Sequence, residues 1–155
     1  MRLMLCICVA QTAFTASAQV TGRASVIDGD TLEIHGQRIR LHGMDAPEAR
    51  QRCEDAAGRD YRCGQRAALA LADMIGSQPV RCEERDVDRW GRIVATCYLG
   101  DGTDIGASMV SAGHALAFRR YSRAYVDLDR NAAAEGLGMW SGTFVAPWDW
   151  RKAHH

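Results

Sequence analysis

Apolar and polar residues alternate between residues 19 and 41, in the manner of half-buried β-strands. The alternation breaks at Asp28-Gly29 and again at His35-Gly36, where a glycine can adopt the positive φ of a tight turn. The apolar positions fall in three runs, which are Val20, Ala24 and Val26, then Leu32 and Ile34, then Ile39 and Leu41. The pattern therefore predicts three consecutive strands joined by two short turns.

Helical spacing of apolar residues follows in three places. Residues 64–75 carry an apolar stripe that stops at Gly76. Asp104 is a capping residue before a short helix that ends at Gly113, and Ser122 begins a last helix that ends at Gly136. Two further strand-like runs precede the second helix, and they contain Val80 and Cys82, then Ile93, Ala95, Cys97 and Leu99.

This order of elements predicts an α+β fold. Five short strands with attached helices fit the OB-fold, a five-stranded Greek-key β-barrel, here with three helices. A swapped order of strands is an alternative that the sequence leaves open. Residues 44–61 carry Pro47, Gly58 and many charges, which predicts a loop.

The N-terminus has the pattern of a signal peptide. Arg2 provides a positive start, an apolar run follows, and Ala16-Ser17-Ala18 supplies small residues before a cleavage site after Ala18. A membrane anchor and a buried first strand are the alternatives, but the run is far shorter than the ~20 apolar residues that span a bilayer. We therefore predict a signal peptide over residues 1–18, a folded domain over 19–142 and a tryptophan-rich tail over 143–155.

Export would leave four cysteines, Cys53, Cys63, Cys82 and Cys97, and an even number in an exported chain suggests two disulfides. Four cysteines allow three pairings. A hairpin about Arg89-Trp90 would set Cys82 opposite Cys97, and Cys53 with Cys63 would then close a short loop. A zinc site is the alternative, but no Cys-x-x-Cys pair or nearby histidine supports it.

The charge balance narrows the classes of partner. The formal net charge is zero, whereas a nonspecific nucleic-acid binder usually has a basic excess. The ordinary content of apolar and charged residues argues against a disordered chain. Any binding of nucleic acid must therefore depend on a local site, and it should be weak and sensitive to salt.

The turn Asp28-Gly29-Asp30 places two carboxylates between predicted strands. Both can point toward one position, and hard cations require several oxygen ligands at about 2.3–2.6 Å. The ordinary interpretation is a plain turn, because aspartate and glycine are common in turns.

Arg40 lies on the third predicted strand, and Asp45 and Glu48 lie on the loop that follows, which Pro47 stiffens by fixing φ. Glu48 is a candidate general base that would polarise a water near a metal ion. The segment by itself is typical of a solvated, charged loop.

A third segment, Asp88-Arg89-Trp90-Gly91-Arg92, predicts a hairpin turn with Arg92 at the start of the next strand. A guanidinium offers planar, forked donors that suit phosphate oxygens, although a surface arginine beside a turn is common. Taken together, the three segments describe a site that cuts phosphodiesters. Carboxylates would hold a cation, another carboxylate would handle water, and Arg40 and Arg92 would neutralise phosphate.

These segments resemble the staphylococcal-nuclease family over about residues 22–140. The matching motifs are Val26-Ile27-Asp28-Gly29-Asp30-Thr31, Ile39-Arg40-Leu41 through Asp45-Ala46-Pro47-Glu48, and Asp88-Arg89-Trp90-Gly91-Arg92. The resemblance implies an OB-fold barrel with three helices. It also implies calcium held by Asp30, Asp45 and the backbone carbonyl of Ala46, with Asp28 in support.

The resemblance further implies that Glu48 activates or orients the attacking water, and that Arg40 and Arg92 grip the scissile phosphate. It implies cleavage of DNA and RNA between phosphorus and the 5′ oxygen, with 3′-phosphate ends and a preference for single strands. An ungapped alignment places Tyr121 and Arg119 in the nucleotide pocket, where the best-known member has two tyrosines.

The four cysteines and the Trp148-Asp149-Trp150-Arg151 tail resemble a Gram-negative, periplasmic or plasmid-borne branch of the family. We therefore expect a periplasmic or secreted protein that is monomeric and is not bound to membrane after signal cleavage.

Two other functions compete with an exported nuclease. One is a catalytically silent OB-fold module that binds single-stranded nucleic acid, and the other is a structural or adhesive domain. The zero net charge and the few aromatic residues on the predicted strands argue against a dedicated binder. The combination of Arg40, Glu48 and Arg92 with two aspartates favours the nuclease.

Overall fold

The computed structural model describes residues 18–154, so nearly all of the predicted signal peptide lies outside the described residues. In chain order the strands are β1 (Gln19–Asp28), β2 (Thr31–Ile34), β3 (Gln37–Leu41), β4 (Met44–Asp45), β5 (Cys53–Glu54), β6 (Asp60–Tyr61), β7 (Pro79–Val87), β8 (Ile93–Tyr98) and β9 (Leu116–Ala117). The helices are α1 (Cys63–Ile75), α2 (Ile105–Ser111), α3 (Val126–Glu135) and α4 (Pro147–Ala153), with a 3-10 turn at Gly138–Ser141.

Five strands close into a barrel in the order β1-β2-β3-β8-β7. β1 closes it because residues 19–23 pair with β7, whereas residues from Ala24 onward pair with β2 across an irregularity near Val26. All pairs are antiparallel except β3 with β8. The predicted α+β class and OB-fold barrel are confirmed, with the later strands crossing over so that β8 lies beside β3.

The barrel interior is apolar, as the alternation predicts. Leu32, Ile34, Ile39 and Leu41 are buried, and they belong to one core cluster with the buried residues of α1, including Leu71. Complete burial of each of these side chains contributes roughly 1.5–3 kcal/mol. Residues between them on β3 face outward, and that outer face positions the charged residues described below.

The described residues contain four helices, so the prediction of three is wrong by one. α4 lies in the tryptophan-rich tail and begins with Pro147, whose fixed φ suits the first turn of a helix. With seven residues it is too short to give a clear helical period. α3 begins later than expected, because the Ser122 hydroxyl accepts the Ala124 N–H in a local turn.

Two disulfides are formed, one between strands β7 and β8 and one between β5 and the start of α1. Cys82 and Cys97 are directly opposite each other in the β7–β8 register, with Cα atoms 4.0 Å apart. Cys53 and Cys63 are joined with Cα atoms 5.6 Å apart and close the loop that precedes α1. No helix within residues 18–154 has both the length and the apolar composition needed to cross a bilayer.

Candidate active site

The turn between β1 and β2 carries Asp30, which is buried at the edge of the barrel. Asp28 Oδ1 accepts the Asp30 N–H at 3.1 Å and so fixes the turn. Asp30 Oδ1 accepts hydrogen bonds from the Thr31 hydroxyl and Arg40 Nη1, each at 3.1 Å. Its Oδ2 accepts the backbone N–H of Ala46 at 3.2 Å, which ties the turn to the loop after β3.

The sheet register brings Arg40 to this turn. Arg40 pairs with Thr31 across β2 and β3, and it points outward because its neighbours Ile39 and Leu41 fill the barrel. Its Nη2 donates to Oδ1 of Asp45 on β4 at 2.8 Å. One guanidinium therefore bridges the two predicted metal-binding aspartates, of which Asp30 lies in the β1–β2 turn and Asp45 lies on β4.

Asp30 and Arg40 shift each other's pKa. Burial raises the pKa of Asp30 to about 7, and the neighbouring carboxylates of Asp28 and Asp45 add to the shift, while Arg40 opposes it. Burial works against the charge of Arg40, but the two carboxylates outweigh it and raise its pKa. Because burial is the main cause of the Asp30 shift, a cation beside this carboxylate would stabilise its charged form.

A second guanidinium, from α4, enters the same cluster. Arg151 Nη2 donates to Asp45 Oδ2 at 2.7 Å, and its Nη1 donates to Asp45 Oδ1 at 3.1 Å and to Glu48 Oε1 at 2.6 Å. Burial disfavours this charge, but the hydrogen bonds to Asp45 and Glu48 raise the pKa of Arg151. No role for Arg151 was predicted from the sequence. Its only signal was its position three residues after Trp148, on the same helix face.

The backbone of Glu48 is held from two sides. Its N–H donates to Oε1 of Gln51 at 3.2 Å, and the Gln51 amide donates to the carbonyl of Val145 at 2.6 Å. Gln51 is completely buried, and sequence reasoning missed it because an isolated glutamine in a charged loop carries no pattern. On the other side, a Cβ atom at Gly64 would lie 1.8 Å from the Glu48 carbonyl oxygen, so α1 can only pack there with glycine.

Arg92 lies on the same outer face as Arg40 but does not join the acidic cluster directly. Arg40 pairs with Val94 of β8, and Arg92 precedes Val94 by two residues, with the buried Ile93 between Arg92 and Val94. Strand spacings therefore put the Cα atoms of Arg40 and Arg92 ~8 Å apart. Within the described part of the chain, the hydrogen bonds and ring contacts of Arg92 go to Asp88 and Trp90. Its Nε donates a hydrogen bond to Asp88 Oδ2 at 2.7 Å, which leaves the terminal nitrogens for another acceptor.

The two residues predicted for nucleotide binding lie between β9 and α3. Tyr121 is 64% exposed and meets the ring of Phe118 edge-on at 5.0 Å. Phe118 in turn stacks on Trp148 of α4 at 5.5 Å. Arg119 is exposed, with its nearest carboxylate, from Asp129, at 4.0 Å. The exposed Tyr121 ring therefore rests on an aromatic pair that includes the C-terminal helix.

The donor atoms determine which cation the site could hold. Among residues 18–154, no group of three or more His, Cys, Asp or Glu side chains is arranged to hold a metal ion. The two carboxylates predicted to hold a cation are those of Asp30 and Asp45. A carboxylate oxygen has about two lone pairs, and Oδ2 of each aspartate accepts one hydrogen bond. One lone pair on each therefore remains. Carboxylate oxygens, and the Ala46 carbonyl that is predicted to join them, are donors that suit a hard cation.

Comparison with known proteins places this site in context. Residues 38–142 match the family described as staphylococcal nuclease homologue. The chain is 42% identical to the succinoglycan biosynthesis protein ExoI of Rhizobium meliloti, over 81% of this chain and 66% of that protein. It is 32% identical to a micrococcal nuclease of Shigella flexneri (83% and 78% covered) and 33% identical to an uncharacterized endonuclease of Escherichia coli (86% of each). The family match ends before α4, so it does not include Arg151.

Proposed function

Because the chain belongs to the staphylococcal nuclease family, we propose that it is a calcium-dependent endonuclease that hydrolyses DNA and RNA to products with 3′-phosphate ends. One observation carries the proposal. Arg40 joins Asp30 and Asp45 by hydrogen bonds of 3.1 and 2.8 Å. The guanidinium of Arg151 joins Glu48 to the same Asp45. Cation ligands, a phosphate-binding group and a candidate base therefore lie within one connected cluster.

The residues present fit calcium. Asp30 and Asp45 retain lone pairs on Oδ2. Burial raises the pKa of Asp30, and the carboxylates of Asp28 and Asp45 add to the shift, so a bound cation would stabilise the charged form of Asp30. A calcium ion bound there would supply Lewis-acid polarisation of a phosphate oxygen. Asp28 supports the site by fixing the turn that presents Asp30.

The remaining groups have separate roles in the proposed reaction. Glu48 would orient a water molecule and accept its proton, and its side chain is 35% exposed, so water reaches it. Arg40 uses two of its five N–H donors on the aspartates, which leaves three for phosphate oxygens. Arg92 would add a second fork from the neighbouring strand, where charge grows in the transition state.

We further propose that Tyr121 and Arg119 contact the nucleotide. An exposed ring supported by Phe118 is suited to stacking on a base, which contributes about 1–3 kcal/mol per base in single-strand binders. A base is free to stack on a side chain only when it is unpaired, so this contact favours single strands. Arg119 replaces a second ring with a charge that suits the backbone phosphate.

Digestion of end-labelled single-stranded DNA and RNA oligonucleotides tests this function. With calcium we expect both substrates to be cut and mass spectrometry to show 3′-phosphate ends, whereas a calcium chelator should stop cleavage. Products with 5′-phosphate ends would contradict the proposed bond cleavage. Retardation of the oligonucleotide in a gel, without cutting at millimolar calcium, would instead support the silent binding module.

We propose that the protein acts in the periplasm or outside the cell as a monomer. Its two disulfides support an oxidising compartment, and β1 begins at Gln19, directly after the proposed signal cleavage site. Native mass spectrometry of protein recovered from the periplasm or the medium should give a monomer that starts at Gln19. A mass that includes residues 1–18 would refute cleavage at this position.

A further inference from the structure

We propose that Arg151 is a positioning residue for the hydrolysis, and that α4 is therefore part of the active site. The inference rests on the proposed nuclease function. One guanidinium contacts both oxygens of the fully buried Asp45 and one oxygen of Glu48. Because the guanidinium is planar and rigid, these contacts fix the Glu48 carboxylate relative to the carboxylate proposed to hold the cation.

Glu48 needs such a partner. It lies on a loop and its side chain is 35% exposed, so its carboxylate would otherwise rotate among several orientations. A general base must be aligned with the water that it deprotonates, and a misplacement of about 1 Å costs about 10²-fold in rate. Gln51 fixes only the backbone of Glu48, whereas Arg151 fixes its carboxylate.

The helix that carries Arg151 is itself anchored. Trp148 stacks on Phe118 with 9° between the ring planes, and Arg151 follows Trp148 by three residues and so projects from the same face. Upstream of the helix, the Val145 carbonyl accepts a hydrogen bond from the buried Gln51. The same glutamine thus holds the Glu48 backbone and the segment leading into α4, which sets the distance between Glu48 and Arg151.

The first test compares Arg151→Gln and Arg151→Lys with Lys152→Gln. Lys152 is the next residue on α4, is 75% exposed and pairs with Asp149, so its replacement removes the same charge outside the cluster. We expect Arg151→Gln to lower kcat by about 10–100-fold at saturating calcium with KM little changed, as for residues that orient a metal site. Arg151→Lys should keep the fold but also have a lowered kcat, because an ammonium cannot reproduce the forked donors of a guanidinium. Lys152→Gln should be unaffected.

A double variant separates positioning from a general structural role. If Arg151 acts through Glu48, the Glu48→Gln/Arg151→Gln protein should be no slower than Glu48→Gln alone. Losses that multiply would overturn the inference, and so would full activity of either Arg151 variant. Greater activity of Arg151→Gln at low calcium would also overturn it, by showing that Arg151 competes with the cation. Absence of hydrolysis by the unaltered protein would refute the proposed function as well, which distinguishes the two failures.

Discussion

Replacement of Glu48 by glutamine is expected to lower kcat for oligonucleotide hydrolysis by about 10²–10⁴-fold, the usual contribution of a general base. Glutamine has nearly the same size and keeps an oxygen that can accept the Arg151 N–H now bound at 2.6 Å. It cannot, however, accept a proton from water at neutral pH. KM and thermal unfolding should therefore change little, and initial rates with melting curves measure both quantities.

Glu135→Gln is the matched control for this experiment. Glu135 ends α3 with an exposed side chain, so its replacement removes one negative charge without touching the acidic cluster. We expect the control to retain its activity. Near-normal kcat in Glu48→Gln would exclude the general-base role and leave Glu48 only as a partner of Arg151.

Replacement of Arg40 by alanine is expected to lower kcat/KM by about 10²–10³-fold, the range seen when one donor to a developing oxyanion is removed. The side chain is 19% exposed and faces outward beside the proposed cation site, where a phosphate would approach. Arg38→Ala is the matched control, because Arg38 is exposed two residues earlier on the same face of β3. Equal losses in both variants would point to general charge attraction rather than to a specific contact.

The same Arg40 variant should also lose stability when calcium is absent. Asp30 and Asp45 are nearly or fully buried, and removing one partner of a buried ion pair typically costs about 3–5 kcal/mol. Calcium that binds only the folded protein should recover part of this loss. We therefore expect calcium to raise the melting temperature of Arg40→Ala more than that of the unaltered protein. An equal rise in both proteins would contradict the coupling between Arg40 and the proposed metal site, and no rise in either protein would contradict the site itself.

Residue patterns along the chain were sufficient to predict the barrel strands, the turns between them and the identity of the charged groups. Alternation specified which side of β2 and β3 faces the core, because every second side chain must be buried. The turn at His35-Gly36 was predictable from its glycine, and both residues have positive φ, at 52° and 77°. The hairpin also placed Cys82 opposite Cys97. These features depend on neighbours that are close along the chain.

The assembly of the site around Asp45, in contrast, depends on contacts between residues far apart in sequence. Arg151 meets Asp45 across 106 residues of sequence and Glu48 across 103, and Gln51 meets Val145 across 94. The direction of the Arg92 side chain, toward Asp88 and Trp90, was likewise not predictable from its motif. Local patterns report burial and turn chemistry, whereas these contacts depend on how α4 packs against the barrel. That packing is set by Phe118, Trp148 and Gln51, whose partners no local pattern identifies.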